Sequence, residues 1–279
     1  MNALAFRLAT WWTVLRISLE ERLVYRGDFA LSTLARFLPI VTQIFLWAAV
    51  FSTVRGPADQ SPRIVGYSYH DMIAYYLLTM IGRAFSSMPG LASGLARDIR
   101  DGTVKKYLIQ PIDMLGFLLL YRVAHKLVYY VVALGPFVLV FYLCRGFFPD
   151  CPPPATFAVF LLSLVLSFFL GFFLEVTLGM IGFWFLEVSS LLFVFMLLSF
   201  FFSGHMFPLD MLPGAWGTAV KLIPLQYLAY FPAAVFLGKV QGAELFWGLI
   251  GQAGWVVFFF ITARVAYYFG ARRYSGYGG

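Results

Sequence analysis

Residues 94–111, GLARDIRDGTVKKYLIQP, decide how this chain is read. They gather Arg97, Asp98, Arg100, Asp101, Lys105 and Lys106 into a few turns, with long apolar segments on both sides. Charges are costly inside hydrocarbon. A run of this kind between apolar segments therefore lies in water, against a membrane surface or a partner protein. The surrounding chain has 279 residues, 61% hydrophobic, 20% aromatic and only 12% charged, with mean hydropathy +0.83. Soluble domains carry about 25% charged residues. The composition is that of an integral membrane protein. Its apolar segments are too long, and too free of alternation, for a transmembrane barrel. The expected fold is all-α, with room for six membrane helices of about 20 residues each.

Upstream of the charged run, a second span is expected at about 72–85, extending back through Tyr67 or Tyr69. The polar loop RGPADQSPRIVGYSYHD precedes it, and a first span is expected at about 29–54, with Arg36 near its start. Residues 1–26 read differently. Leu4, Leu8, Trp11, Trp12, Leu15, Leu19 and Leu23 recur at helical spacing opposite a mostly polar face, the pattern of a helix lying in the membrane interface. This segment lacks the uninterrupted apolar core of a cleavable signal peptide. The domain division is therefore an interfacial helix over 1–26 and a six-helix domain over 27–279.

Downstream, a third span is expected at about 115–143, with Arg122, His125 and Lys126 in its first turns. RGFFPDCPPP then turns the chain, since consecutive prolines cannot continue a helix. A fourth span follows at about 155–174, a short connection at 175–182, and a fifth span at about 183–202. Residues 203–241 are apolar but broken by Pro208, Pro213, Pro224 and Pro232 and by several glycines. No span survives those breaks. Irregular backbone at membrane depth must be buried in protein or line a cavity, so short or re-entrant helices are expected there. A sixth span at about 245–268 ends before Arg272 and Arg273.

Basic residues set the orientation. With both termini cytoplasmic, 15 of the 20 Lys and Arg residues fall inside, and only Arg55, Arg63, Arg145, Lys221 and Lys239 outside. The expected location is a bacterial plasma membrane, crossed several times. The net charge of +7 and pI near 9.4 then follow from the positive-inside bias and do not call for nucleic acid.

The chemistry of catalysis is missing from the pattern. No G-x-x-x-x-G-K-[ST] phosphate loop occurs, so any ATP used here is bound by another chain. His70, His125 and His205 fall in separate segments, without H-E-x-x-H and without clustered acids, so neither a metal nor a catalytic site is expected. Cys144 and Cys151 lie near the outer end of the third span. A disulfide and two unpaired thiols both remain open. Glu175 and Glu187 bracket the inner 175–182 connection, which favours interfacial or partner-facing carboxylates over a proton relay.

On this outline the sequence resembles the membrane subunits of ABC-2 type ATP-driven exporters, over nearly its whole length. Asp98-Ile99-Arg100-Asp101-Gly102-Thr103 followed by Tyr107-Leu108-Ile109-Gln110-Pro111 is similar to the family's inner-loop motif. Phe183-Trp184, the run from Ser203-Gly204-His205-Met206-Phe207-Pro208 to Pro213, and Ile223-Pro224-Leu225-Gln226-Tyr227 are similar to its later motifs. Gln110 replaces a common basic residue, and Leu225 and Gln226 vary the last motif.

The resemblance implies that 94–111 is a coupling helix docking into a separate ABC ATP-binding subunit, through Arg97, Asp98, Arg100, Asp101, Gly102, Thr103, Leu108 and Pro111. Glu175 and Glu187 would form a secondary inner contact. ATP and Mg would sit on the partner, with no cofactor on this chain. A second permease copy, identical or paralogous, would complete a path lined by Phe183, Trp184, Phe193, Met196 and Phe200. Residues 203–241 would be its outer lid, with Gly204, Met206, Pro208 and Pro213. The implied function is export of an apolar, lipid-linked or drug-like substrate. The alternatives are a stand-alone channel or secondary carrier, which would need polar groups inside the membrane or an internal repeat, and a lipid-modifying membrane enzyme.

Overall fold

In the computed structural model the described residues are 3–23, 35, 37–54, 62–109, 111–148 and 152–274. They are mostly helical, with no strand among them. The chain divides into two compact units, 1–41 with 105–145, and 42–104 with 146–279.

The first unit is built on two helices, α1 (Ala3–Leu23) and a 30-residue helix, Met114–Leu143. Asp113 caps the second, its carboxylate accepting the Gly116 N–H at 2.8 Å. Gly116 also lets the Trp11 ring come close, since a Cβ there would lie 3.0 Å from it. Tyr121 donates to Glu21 at 3.4 Å. Thus α1 has a protein surface to pack on, with Trp11 against the long helix and Trp12 exposed. Arg122 and Lys126 are buried along the long helix.

The second unit is organised around one long helix, Pro154–Met180. In chain order, with the first unit's helices included, the α-helices are α2 (Leu38–Thr53), α3 (Tyr69–Ser86), α4 (Leu91–Arg100), α5 (Lys105–Leu108), α6 (Met114–Leu143), α7 (Pro154–Met180), α8 (Ser189–Phe202), α9 (Gly214–Leu222), α10 (Tyr230–Phe236) and α11 (Gly242–Arg273). Helix α7 is apolar all round and packs against α3, α4, α10 and α11. Glycines permit the closest approaches. A Cβ on Gly171 would fall 2.0 Å from the Ser86 carbonyl oxygen, and one on Gly179 would fall 2.9 Å from that of Ala92. Along α11, Gly248 receives the Phe231 ring and Gly270 the Phe183 ring.

Among the described residues three helices are long and apolar enough to cross a membrane: α6, α7 with its 3-10 extension to Phe183, and α11. The apolar helices α2 and α8 have 16 and 14 residues, below the roughly 20 that a span needs. The expected boundaries shift in two places. Residues 175–180 continue α7 and do not form a connection, and the turn falls at 181–188. The helix expected from Phe183 begins at Ser189. The expected start of the first span, with Arg36, and Cys151 lie outside the described residues.

Candidate functional site

The charged run folds as α4 and the turns after it. Leu91, Ala92, Leu95, Ala96 and Ile99 are buried along one face, while Arg97, Arg100 and Asp101 are exposed. This is the amphipathic spacing of a helix packed on one side. Gly102, at φ +77°, ends it in the left-handed conformation that glycine adopts without a Cβ penalty. The Val104 N–H then returns to the Asp98 carbonyl at 2.9 Å, and the Thr103 hydroxyl donates to the Asp98 carboxylate at 2.9 Å. The buried face lies on α7 at backbone distance. Beyond Gly179, a Cβ on Gly182 would stand 3.2 Å from Ala96 Cα.

Arg100 reaches Asp101 at 3.1 Å and Glu187 at 3.5 Å. Glu187 also accepts the Ser189 N–H at 2.8 Å. The hydrogen bonds from Ser189 hold the Glu187 carboxyl below the usual range, with Arg100 adding to the effect. The 181–188 turn is thereby linked to the end of α4. Leu108, at the end of α5, and Pro111 belong to the first unit and not to this cluster.

The section after α8 is a string of short elements: a 3-10 turn at Leu209–Met211, α9, a second turn at Pro224–Leu228, and α10. It is fastened to the start of α3. Asp210 accepts from Tyr67 at 2.7 Å, Tyr230 at 2.7 Å and Lys221 at 2.6 Å. Burial pushes the Asp210 carboxyl up, but these three donors outweigh burial and leave it below the usual range. Burial and the same carboxylate hold the Tyr67 and Tyr230 hydroxyls protonated.

A second pair, Lys239 with Asp71 at 2.8 Å, flanks the first. The Lys239 ammonium stands 4.8 Å above the Tyr67 ring and donates to the Gly66 carbonyl at 2.9 Å. Tyr75 donates to the Gly204 carbonyl, and Tyr76 to that of Met206. Gly204 itself has φ +79°, and any Cβ there would strike Tyr230 and Tyr75. His205 stacks edge-on with Phe200 at 5.3 Å. Burial, aided by Arg83, lowers its imidazole to about 4, so it is neutral near pH 7.

A buried amide fastens the same section from the other side. Gln252 of α11 donates to the Ser163 carbonyl at 2.9 Å and the Ser167 hydroxyl at 3.1 Å, and accepts the Ser163 hydroxyl at 3.0 Å. Ser167 donates to the Tyr227 carbonyl at 2.7 Å. All three side chains are 0% exposed. Buried polar groups in a membrane domain must find partners within the protein, and this group does.

Phe193, Met196 and Phe200, expected to line a path, share α8, which has no buried residue. Phe183 is elsewhere, packed on Gly270 and 6.2 Å from the Tyr274 ring. Gly204 and Met206 are gripped by α3 tyrosines, and Pro208 and Pro213 start short elements. Glu175 is half-buried on α7. Sequence reasoning missed the Asp210 and Gln252 clusters. The only available signal for the latter was the Ser163, Ser167 spacing of four opposite a lone glutamine in an apolar run.

Among the described residues the fold is helical, with three apolar helices of membrane length and an irregular section, between α8 and α11, gripped by its neighbours. Comparison with protein families assigns the chain. The model described as ABC-2 family transporter protein matches residues 37–278, and the chain belongs to that family. It is thus a multi-pass membrane component of a transporter and not itself a catalytic subunit. No curated protein shows a significant match to the chain.

Proposed function

We propose that this chain is the permease of an ATP-driven exporter, with α4 and its following turn as the element that a separate ATP-binding subunit moves. One observation carries the reading. The polar face of α4 is open, while its other face meets α7 backbone to backbone across Gly179 and Gly182. A push on α4 therefore reaches α7 and its 3-10 extension directly at these glycine contacts, through closely packed atoms of low compressibility. Its alternating charges suit a protein cleft better than an anionic bilayer, which selects basic residues alone.

In this reading six helices span a bacterial plasma membrane. Helix α8 rises only about 21 Å against a core of about 30 Å, so apolar residues on either side of it complete the crossing. Both termini face the cytoplasm, the Asp210 cluster faces outward, and two permease copies, identical or paralogous, meet along apolar helices that include α8. Phe193, Met196 and Phe200 offer the path no polar group, which favours an apolar, lipid-linked or drug-like substrate. ATP and Mg sit on the partner.

The test is copurification and coupling. The chain should bring down a nucleotide-binding subunit, and Asp98→Lys and Gly102→Pro should leave ATP hydrolysis running while transport falls at least tenfold. Full transport and unchanged partner binding in both variants would refute the assignment of α4.

A further inference from the structure

We propose that the first turns of α11 and the short elements before it form a binding site for an organic ammonium group. A cavity of about 240 Å³ opens there. Tyr227, Tyr230, Phe231 and Trp247 supply aromatic walls, and Glu244 and Lys221 supply its charges. Gly248 seats the Phe231 ring in this wall, because a Cβ at that position would sit 2.3 Å from the ring.

The two charges are not equivalent. The Lys221 ammonium is already neutralised by Asp210 at 2.6 Å and lies 5.5 Å from the Tyr230 ring. Glu244 is exposed and has no ion-pair partner among the described residues, so it places one unpaired negative charge at the edge of the cavity. Aromatic faces beside a carboxylate favour a soft, weakly hydrated cation, as in cages for quaternary ammonium groups. Anions are disfavoured by the same charge. Size narrows the class further. Pockets for drug-sized ligands run from about 300 Å³ upward, so this one suits a headgroup-sized cation. Trp247 is 66% exposed at the rim, which leaves the mouth open to a ligand bearing an apolar tail. Such an ammonium group could belong to a lipid headgroup or to a free amine.

The site stands on the cavity alone and is independent of ATP coupling. The full-length chain is placed in phosphatidylglycerol nanodiscs and loaded with labelled choline. Displacement by unlabelled choline is compared with displacement by dimethylbutanol, its neutral carbon isostere. Choline should compete at least tenfold better. Glu244→Gln and Trp247→Leu should each weaken choline about tenfold, while Trp247→Phe retains most of the binding. Trp247→Leu keeps an apolar rim and changes an exposed position, so loss of binding there reports the ring and not the fold. Equal competition by the isostere, or full binding by the Glu244→Gln, Trp247→Leu double variant, overturns the proposal. Repetition in phosphatidylcholine nanodiscs assigns the source. Loss of choline binding there identifies a lipid headgroup as the occupant, and unchanged binding identifies a free amine.

Discussion

The glycines of α7 and α11 allow a graded alanine series. Each Gly→Ala change in a helix interior gains about 1 kcal/mol of helix propensity. Against this stands whatever the new Cβ strikes. At Gly254 it meets nothing within 4 Å, so the gain should appear in full. At Gly179 it would lie 2.9 Å from the Ala92 carbonyl oxygen and 3.0 Å from Leu95 Cβ. Both are tighter than van der Waals contact, and overpacking of this kind costs about 1–3 kcal/mol. The net effect there is destabilisation of roughly 1 kcal/mol after the propensity gain. At Gly171 the new atom would lie 2.0 Å from the Ser86 carbonyl oxygen, and backbone must move by about an ångström. The net loss should reach roughly 2 kcal/mol or more. The assay is thermal unfolding of purified variants in one detergent, followed by aggregation or tryptophan emission. The expected order of stability is Gly254→Ala, wild type, Gly179→Ala, Gly171→Ala. Gly171→Ala matching Gly254→Ala in midpoint would refute the backbone contact between α7 and the end of α3. Gly179→Ala should also reduce transport per ATP hydrolysed, because it lifts α4 from its seat.

Two further expectations concern the Asp210 and Gln252 clusters. His205 is held neutral by burial, so the folded state loses stability as pH falls from about 6.5 towards about 4. Asp210 has a depressed carboxyl, so its contribution is complete above the ordinary carboxylate range and is lost as pH falls below it. His205→Gln should flatten the first phase of acid-induced proteolysis of the 203–241 section and Asp210→Asn the second, and unchanged profiles in both would contradict these environments. Gln252→Leu should cost roughly 1–2 kcal/mol, since it strands the Ser163 hydroxyl. The paired change of Gln252→Leu with Ser163→Ala should recover part of that loss in a double-mutant cycle, and strict additivity would argue against a shared network.

Much of this architecture is legible in the sequence because hydrophobic length is a strong signal. The long helices α6, α7 and α11 fall where the apolar runs lie, and Gly102 marks the end of α4 through its backbone freedom. The errors arise where a local mark was read as a boundary. The expected connection begins at Glu175, but one half-buried carboxylate near a helix end does not break the backbone ladder, and α7 continues to Met180. Phe183 continues an apolar run on paper, yet it packs against Gly270, close to 90 residues away in sequence. The Asp210 cluster joins Tyr67 across 143 positions. Neither residue carries a local pattern that announces the other, so only the assembled chain reveals the pairing.

Among the described residues, helix α8 is tied by hydrogen bonds to its surroundings at its two ends. At one end Ser189 is bonded to Glu187, which reaches Arg100. At the other the Ser203 carbonyl accepts the Tyr230 N–H at 2.9 Å. Mechanically this is a strut pinned at two joints, its middle packed by apolar side chains alone among the described residues. Its central residues can bow, rotate or exchange neighbours without breaking a hydrogen bond to another helix. Displacing either joint costs charged or backbone bonds. Motion imposed at α4 would therefore flex the strut before it disturbed the Asp210 anchorage, and residues in the middle of α8 should tolerate changes of apolar shape far better than Ser189 or Ser203 tolerates any change at all.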